Sequence, residues 1–197
     1  MKCFIIGNGE SRKSFDLTRL RLEPRDDFPI YGCNALYRDF IPDILFVSDL
    51  RMIEEVKSLD LNLARVDEHT IKLSNGSILS LPISFKVTGV MTVMCAPLLD
   101  VRITDFYLLG FDMYPSEETG KLNNIYKDSI NYRKSDECYR QMVNHSVPAL
   151  KFIFNHYLNK KFFIVNSKKS VYFNDCKNLY QISYNDFEEI LNRCHSG

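Results

Sequence analysis

Short apolar runs recur along the chain, and each stops at glycine or at a small polar residue. The first run, from Cys3 to Ile6, ends at Gly7. Runs of the same kind cover Ile30 to Cys33, Ile44 to Val47, Phe106 to Leu109, Phe162 to Val165 and Leu179 to Ile182. Apolar stretches of four or five residues bounded by turn residues are typical of strands buried on both faces. The pattern therefore predicts a sheet of such strands.

Segments with helical spacing lie between these runs. The predicted helices are a short one around Phe15 to Leu20, one starting near Asp49, a buried one from Thr88 to Leu99, one from about Pro148 to Leu158, and a last one after Ser183 or Asn185. Asp49 is a residue type that caps helices, and proline is favoured in a first turn. Strands that alternate with helices predict an α/β fold with a mostly parallel, doubly wound, Rossmann-like sheet.

Two segments depart from this alternation. From His69 to Leu81 the sequence alternates around Asn75-Gly76, which predicts a β-hairpin with a type I′ turn added to the sheet edge. Residues 115–134 are polar and rich in Asn, Tyr and Ser, which predicts a long, lid-like loop. The sequence shows no linker and no repeat, so we expect a single Rossmann-like nucleotide-binding domain over residues 1–197.

The charge balance argues against a nucleic-acid partner. The 197 residues include 25 Lys and Arg and 25 Asp and Glu, so the formal net charge is zero. Nucleic-acid binders usually carry a basic surplus that neutralises phosphates. A local basic patch at Lys160, Lys161, Lys168 and Lys169 stays open.

Cysteine usage points to a reducing compartment. The six cysteines form no C-x-x-C pair, and we expect buried free thiols at Cys3, Cys33, Cys95, Cys138, Cys176 and Cys194. No apolar run approaches the roughly 18 residues of a membrane span, and the N-terminal run is too short for a signal peptide. We expect a cytoplasmic protein without a membrane span, and the sequence leaves a homo-oligomer open.

Polar or small residues follow four of the predicted strands, at Gly7-Asn8-Gly9, Cys33-Asn34, Ser48-Asp49 and Gly110-Phe111-Asp112. In parallel sheets, ligands bind beyond the carboxyl ends of the strands. Glycine lets a phosphate approach the backbone, and asparagine suits a sugar hydroxyl or a base edge. We therefore expect a phosphorylated or nucleotide ligand at the Gly7-Asn8-Gly9 turn.

His145 is the histidine best placed for chemistry, because it follows the polar loop and precedes the predicted helix at Pro148. It suits either a neighbour of the helix cap or a general base. The chain has no D-x-D triplet, no G-x-S-x-G elbow and no G-K-[ST] loop. Metal-dependent sugar transfer, serine hydrolysis and Walker-type ATP hydrolysis therefore lack sequence support.

Several of these segments resemble the small bacterial sialyltransferases that decorate lipo-oligosaccharide. The resemblance rests on Gly7-Asn8-Gly9-Glu10-Ser11, Gly32-Cys33-Asn34-Ala35-Leu36-Tyr37, Thr88-Gly89 with Met94-Cys95-Ala96, Phe106 through Tyr114, His145-Ser146 and Val165-Asn166-Ser167. Similar elements occur in pterin-diphosphokinase-like proteins, motility-accessory proteins and uncharacterised phage proteins. The arginine that the family carries before the Thr88-Gly89 element is absent, and Lys86-Val87 stand there.

The resemblance implies metal-independent transfer of a sugar from a CMP-type donor to an acceptor hydroxyl, with no cofactor. His145 would accept the hydroxyl proton and Tyr114 would hydrogen-bond the departing phosphate. The residues expected to contact the nucleotide or its phosphate are Gly7, Asn8, Gly9, Ser11, Asn34, Asp49, Thr88, Gly89, Asp112 and Tyr126. Two alternatives stay open. One is a pyrophosphokinase-like enzyme that uses Asp49 and Asp112 to hold a cation, and the other is a non-enzymatic nucleotide-binding module.

Overall fold

A computed structural model describes residues 1–21, 28–67, 69–81, 83, 85, 87–116, 120–132 and 139–195. The strands are β1 (Lys2–Ile6), β2 (Ile30–Cys33), β3 (Ile44–Val47), β4 (Leu63–Val66), β5 (Thr70–Leu73), β6 (Ile78–Ser80), β7 (Asp105–Leu109), β8 (Lys161–Val165) and β9 (Leu179–Ile182). The α-helices are α1 (Leu50–Val56), α2 (Thr88–Leu99), α3 (Tyr139–His156) and α4 (Tyr184–His195). Short 3₁₀ helices cover Glu10–Arg12, Leu17–Arg21, Asn34–Arg38 and Val171–Phe173.

The nine strands form one sheet in the order β6-β5-β4-β3-β2-β1-β7-β8-β9. The strands from β4 across to β9 pair in parallel, and β5 and β6 are antiparallel. The chain moves outward from β1 to β4, adds the hairpin, and then returns to β7 on the other side of β1. The predicted α/β class, the mostly parallel sheet and the edge hairpin are confirmed.

Both faces of the central strands are buried, because alternate side chains of these strands enter different cores. In β1, Cys3 and Ile5 pack with the apolar side chains of α2 and α3. Phe4 and Ile6 pack in a second core with α1 and α4. This double coverage explains why the central strands appear as continuous apolar runs in the sequence.

Two helix starts follow their predicted caps. The Asp49 side chain accepts a hydrogen bond of 2.8 Å from the Arg51 amide at the start of α1. Before α4, Ser183 and Asp186 bond each other's backbone amides, at 3.1 and 3.0 Å. This reciprocal arrangement is a capping box, in which each side chain satisfies a free amide. Both predicted starts are confirmed, the second with Ser183 as the cap.

The start predicted for α3 is wrong. The helix begins at Tyr139, nine residues before Pro148, so that Pro148 lies in its interior. Proline within a helix removes one backbone hydrogen bond but does not always end the helix. Treating Pro148 as a first-turn residue therefore placed His145 ahead of the helix, whereas it lies within α3.

Three smaller predictions need correction. The segment from Phe15 to Leu20 contains the 3₁₀ turn Leu17–Arg21 in place of an α-helix. Strand β4 escaped sequence analysis because its four residues include the exposed Arg65. Of the two described turn residues Asn75 and Gly76, Gly76 alone has a positive φ, 86°, so the turn is not type I′. The Gly76 amide donates to Leu73, as in a type I turn followed by a glycine bulge.

Four cysteines are buried and free, as predicted, namely Cys3, Cys33, Cys95 and Cys176. Cys138 and the side chain of Cys194 lie outside the described residues. Among the helices that the structure describes, none combines the length and apolarity needed to cross a bilayer.

Candidate functional site

The carboxyl ends of β1, β2 and β7 meet at one edge of the sheet. Register brings Ile6 level with Gly32 on one side and with Leu109 on the other, so the turns after these strands are neighbours. A cavity of about 100 Å³, called here the inner cavity, lies between them. The predicted site residues on its wall are Gly7, Asn8, Gly9, Asn34, Thr88, Gly89 and Asp112. The sequence thus located much of this wall from strand ends alone.

The turn after β1 lies directly against the turn after β7. The Gly9 amide donates to the Gly110 carbonyl oxygen at 2.9 Å, and Gly110 itself has φ 69°. A Cβ atom on Gly7 or Gly9 would lie 2.6 or 2.7 Å from that oxygen. Real Cβ atoms do not approach so closely, so glycine at both positions is required by backbone contact.

The amides that follow Gly9 already have partners within the protein. The Glu10 amide donates to Asn123 Oδ1 at 2.7 Å, and the Ser11 amide donates to Asp112 Oδ2 at 2.8 Å. Phosphate-binding turns present such amides to the ligand. These two amides are therefore hydrogen-bonded within the protein and are not available to a phosphate at the predicted Gly7-Asn8-Gly9 site.

Asp112 is a buried carboxylate on the wall of the inner cavity. Besides the Ser11 amide, it accepts hydrogen bonds from the Ser11 hydroxyl and from Asn166 Nδ2, the latter at 3.0 Å. Burial raises its pKa, and the bonds from Ser11 and Asn166 partly oppose that rise. The carboxylate thus joins the turns after β1, β7 and β8.

Two asparagines on the wall of the inner cavity each have a buried Oδ1 with no hydrogen-bond partner among the described residues. Asn8 is 6% exposed, and its Nδ2 donates to the Cys33 carbonyl at 3.2 Å and to the Tyr132 hydroxyl at 2.9 Å. Both amide hydrogens are used, and Asn8 Oδ1 is left unpaired. Asn34 has a left-handed φ of 51°, and its Oδ1 is also unpaired. Buried polar atoms are nearly always satisfied, so each of these two oxygens would accept a hydrogen bond from a water molecule or from a ligand group.

The N-terminus of α2 forms another part of the wall, through Val87, Thr88, Gly89 and Val90. The first amides of an α-helix have no partner within the helix, and together with the helix dipole they attract anions. Val87 is the N-cap residue and makes no side-chain cap bond. In the described part of the chain, the N-cap residue of this 12-residue helix therefore leaves the first amides without a side-chain cap.

A second, more polar cavity of about 220 Å³, called here the outer cavity, shares Asn34, Thr88 and Tyr132 with the inner one. Asp49 also lines it. Burial raises the pKa of Asp49, but the Arg51 hydrogen bonds outweigh this and keep the pKa below its usual value. The two cavities together reach the size of typical small-molecule sites, about 300–1,000 Å³.

Residues 120–132, called here the strap, cover the site from one side. The Ile125 amide donates to the Asn8 carbonyl at 2.8 Å, and Lys127 pairs with Glu10 at 2.7 Å. Arg38 donates to the Ser129 hydroxyl at 2.6 Å. The described part of the predicted 115–134 loop thus packs onto the strand ends, while residues 117–119 and 133–134 lie outside the described chain.

Two predicted tyrosines do not line either cavity. The Tyr114 hydroxyl donates to Asn166 Oδ1 at 3.0 Å, and Lys168 lies 5.1 Å from the centre of its ring. The Tyr126 hydroxyl accepts a bond from Arg12 at 2.8 Å and donates one to Asp39. Tyr132, also in the strap, lines both cavities. The sequence holds no signal that separates Tyr132 from Tyr126, because only strap packing decides which ring faces the site.

His145 is exposed on α3, and the neighbouring Ser146 is buried and lines the inner cavity. Successive residues of an α-helix point about 100° apart, so one of such a pair faces inward. Ser11 is hydrogen-bonded to Asp112 but does not itself line the inner cavity. The structure therefore separates His145 and Ser11 from the predicted group on the wall.

Cys33, which the sequence predicted as a buried free thiol, also lines the inner cavity, where its carbonyl accepts the Asn8 bond. Burial raises the pKa of Cys33 to about 12, so this thiol stays protonated at neutral pH. Its bond to the Ile6 carbonyl, at 3.8 Å, is a packing contact. Cys33 is therefore an apolar wall of the cavity.

The acidic pair of the pyrophosphokinase alternative is not brought together, since Asp49 lines the outer cavity and Asp112 the inner one. Within the described ranges, no group of three or more His, Cys, Asp or Glu side chains could hold a metal ion. Comparison with known proteins adds no family: no protein-family model matches the chain, and neither do the curated proteins or the solved structures.

Proposed function

We propose that the protein binds a nucleotide sugar at the inner and outer cavities and transfers the sugar to an acceptor hydroxyl without a metal ion, on a Rossmann-like doubly wound sheet. One observation carries the proposal. Val87 and Thr88 at the start of α2 line the same cavity as Asn8, whose buried Oδ1 has no hydrogen-bond partner in the described part of the chain. A helix start attracts an anion, and an unpaired acceptor needs a donor. A sugar linked to phosphate offers both groups in one molecule.

The strand order supports the location. The chain leaves β1 towards β2 and later returns to β7 on the opposite side, so the order reverses between β1 and β7. Ligands of doubly wound sheets bind at such reversals. Thr88, the first residue of α2, borders both cavities. We place the phosphate there, with the transferred sugar on one side of it and the nucleoside on the other.

Tyr132 is the tyrosine that we assign to the departing phosphate. Its hydroxyl accepts from Asn8 Nδ2 at 2.9 Å and from Asn124 Nδ2 at 3.4 Å. A phenol that accepts two bonds still has its own hydrogen to donate. Directed at the leaving oxygen, this hydrogen would stabilise developing charge without a cation. The resemblance gave this role to Tyr114, whose hydroxyl bonds Asn166.

His145 stays the proposed base. It does not line the inner cavity but lies one residue from Ser146, which does, and its side chain is exposed on α3, so in this proposal the acceptor hydroxyl reaches it from solvent. In the proposed step, the acceptor oxygen bonds the anomeric carbon and the bond from that carbon to the phosphate oxygen breaks. The phosphate takes the electron pair, and His145 takes the hydroxyl proton.

The first test is a thermal-shift screen of the protein against CMP, UMP, AMP, GMP and their sugar conjugates, with and without magnesium. A ligand that binds only the folded state raises the melting temperature by mass action. We expect a shift with CMP or a CMP-sugar that does not need magnesium. A shift that requires magnesium would favour the pyrophosphokinase alternative, and no shift with any nucleotide would refute the proposal.

Two variants separate binding from transfer. Tyr132→Phe should weaken nucleotide binding about tenfold, since one charge-assisted hydrogen bond is lost, with Tyr180→Phe on edge strand β9 as the matched control. His145→Ala should abolish transfer and leave binding intact, with the exposed His69→Ala as control. Full transfer activity in His145→Ala would remove the proposed base. Tight binding with no turnover in the unmodified protein would favour a nucleotide-binding module.

The buried thiols bear on the compartment in which the protein works. Cys3, Cys33 and Cys95 are deeply buried and unpaired, and burial raises the pKa of each one. Disulfides are rare in reducing compartments, where cysteines stay free. We therefore propose a cytoplasmic location.

A further inference from the structure

We propose that the free edge of the sheet at β6 is an interface at which two copies of this chain pair, strand against strand, about a twofold axis. This interface is separate from the two cavities and does not depend on the proposed function. The sheet is open, with β6 and β9 as its edge strands. An edge strand presents unpaired backbone groups, which proteins usually protect with charges, proline or a covering segment. The two edges of this sheet differ in that protection.

Strand β9 is hydrogen-bonded to the residues that precede it. The Gln181 side chain accepts a bond of 2.5 Å from the Ser170 amide and donates one of 2.8 Å to the Ser170 carbonyl. The Leu179 amide donates to the Cys176 carbonyl at 3.3 Å. Residues 170–176 therefore lie against β9 and use part of its hydrogen-bonding capacity.

Strand β6 is an exposed edge without charge. Ile78 and Ser80 are both exposed, and the exposed fraction of Ile78 is 64%. The sequence from Leu73 to Phe85 contains no charged residue. Charged side chains on an edge strand discourage pairing with another strand. The sequence of β6 therefore offers no electrostatic barrier to such pairing.

The backbone of β6 directs hydrogen-bonding groups away from the sheet at two residues. The Leu81 amide donates to the His69 carbonyl at 2.9 Å, across the pairing of β5 with β6. Alternate residues of an antiparallel strand bond the same neighbour, so Leu79 also faces β5. Ile78 and Ser80 therefore point their amides and carbonyls outward.

These outward groups match a second copy of the same strand. In an antiparallel pair about a twofold axis at Leu79, Ile78 lies opposite the partner's Ser80, and the two residues exchange hydrogen bonds through amide and carbonyl. The symmetric pair uses the remaining outward groups in the same way. Like charges directly opposite each other destabilise strand pairs, and this uncharged edge brings none together. The edge therefore fits its own copy better than it fits a charged segment.

The length of β6 limits the strength of this contact. The strand has only three residues, Ile78–Ser80. Stable protein interfaces bury about 1,200–2,000 Å² in total, far more than a pair of such short strands provides. We therefore expect a reversible dimer that forms at high protein concentration.

Sedimentation velocity of the full chain, from low micromolar to submillimolar concentration, measures the association. The average mass should rise from that of one chain towards that of two. Amide hydrogen exchange at both ends of the series locates the contact. In the concentrated sample, exchange at the Ile78 and Ser80 amides should slow by at least about threefold, and exchange at Leu79, which already faces β5, should change little.

Two variants test the edge by different means. Ile78→Lys adds a charge to the edge, and Ser80→Pro removes one outward amide without removing a bond to β5. Both variants should stay monomeric at every concentration and keep the urea midpoint of the parent. Ile41→Lys is the matched control, because Ile41 is 57% exposed and lies outside β6. It should dimerise like the parent.

Three results would overturn the inference. A parent protein that stays monomeric at every concentration would leave the edge to an extended segment of another protein. A dimer in which the Ile78 and Ser80 amides exchange as fast as in the monomer would place the interface elsewhere. A dimer that Ile78→Lys weakens no more than Ile41→Lys does would have the same meaning, and it would stand even if Ser80→Pro failed to fold.

Discussion

Replacing Gly9 with alanine should destabilise the protein strongly, although alanine is only one methyl group larger. The added Cβ would lie 2.5 Å from Asp112 Oδ2 and 2.7 Å from the Gly110 carbonyl oxygen. The Gly110 oxygen belongs to backbone and accepts the Gly9 amide bond, so it cannot withdraw without breaking that bond. Asp112 could move only by losing bonds from Ser11 and Asn166.

The expected cost follows from these two contacts. Overpacking by one methyl group costs about 1–3 kcal/mol, and weakening a hydrogen bond to a charged group costs about 1.5–3 kcal/mol. Overpacking and a weakened hydrogen bond each relieve part of the same clash, so the two costs do not simply add. We therefore expect Gly9→Ala to lower the free energy of unfolding by about 2–4 kcal/mol. For a chain of this size, that loss corresponds to a melting temperature lower by roughly 5–15 °C.

Gly89→Ala is the matched control for the same added methyl group. Its Cβ would lie 3.6 Å from Phe111 and 3.7 Å from Cys33, which is ordinary contact. Alanine in α2 is favoured over glycine by up to about 1 kcal/mol, so stability should be kept or raised. The methyl group narrows the inner cavity, and ligand binding should weaken. Urea unfolding of both variants checks this, and a Gly9→Ala protein as stable as the parent would refute the account of the turn contact.

Three further changes test other contacts. Tyr132→Phe should cost about 1 kcal/mol of stability, because Asn8 Nδ2 loses an acceptor; an unchanged urea midpoint would contradict this. Arg12→Met should cost about 2–3 kcal/mol, because this buried guanidinium loses its bond to the turn after β1 and its other polar partners; Arg12→Lys should recover only part of the loss. Burial raises the pKa of Glu10, but its hydrogen bonds with Lys127 and Ser116 and the charges of Lys127 and Lys13 together outweigh burial, so the net pKa lies below the usual 4.5. The stability from this pair is therefore present above pH 4.5 and lost as the pH falls through the lowered value. Lys127→Met should differ from the parent by up to about 1 kcal/mol at pH 7 and converge with it in acid.

The sequence predicted the wall of the site well where backbone geometry dictates residue type. Gly7 and Gly9 are glycines because a neighbouring turn lies against them, and that contact is what ended the apolar run visibly at Ile6. Asn34 marks a left-handed position that asparagine tolerates. Such local constraints restrict which residue types a position accepts, and many of them lie at the strand ends.

The sequence did not predict which side chains of the longer elements face the cavity. Whether His145 or Ser146 faces the cavity depends on where α3 begins, and Pro148 gave a misleading start. Tyr126 and Tyr132 differ only in how the strap folds over Arg12 and Asn8. Both choices depend on contacts between segments distant in the chain, which local patterns do not encode.

The central position of β1 affects how the chain is made. Lys2 pairs with Asp105 across the middle of the sheet, so one edge of β1 stays unpaired until the ribosome has added about a hundred further residues. At typical synthesis rates of about 5–20 residues per second, that interval lasts roughly 5–20 s. Throughout it, a run of apolar residues with free backbone amides is available to other chains. The same pairing brings the turns after β1 and β7 together, so this part of the inner-cavity wall forms at the moment when the unpaired edge of β1 is covered.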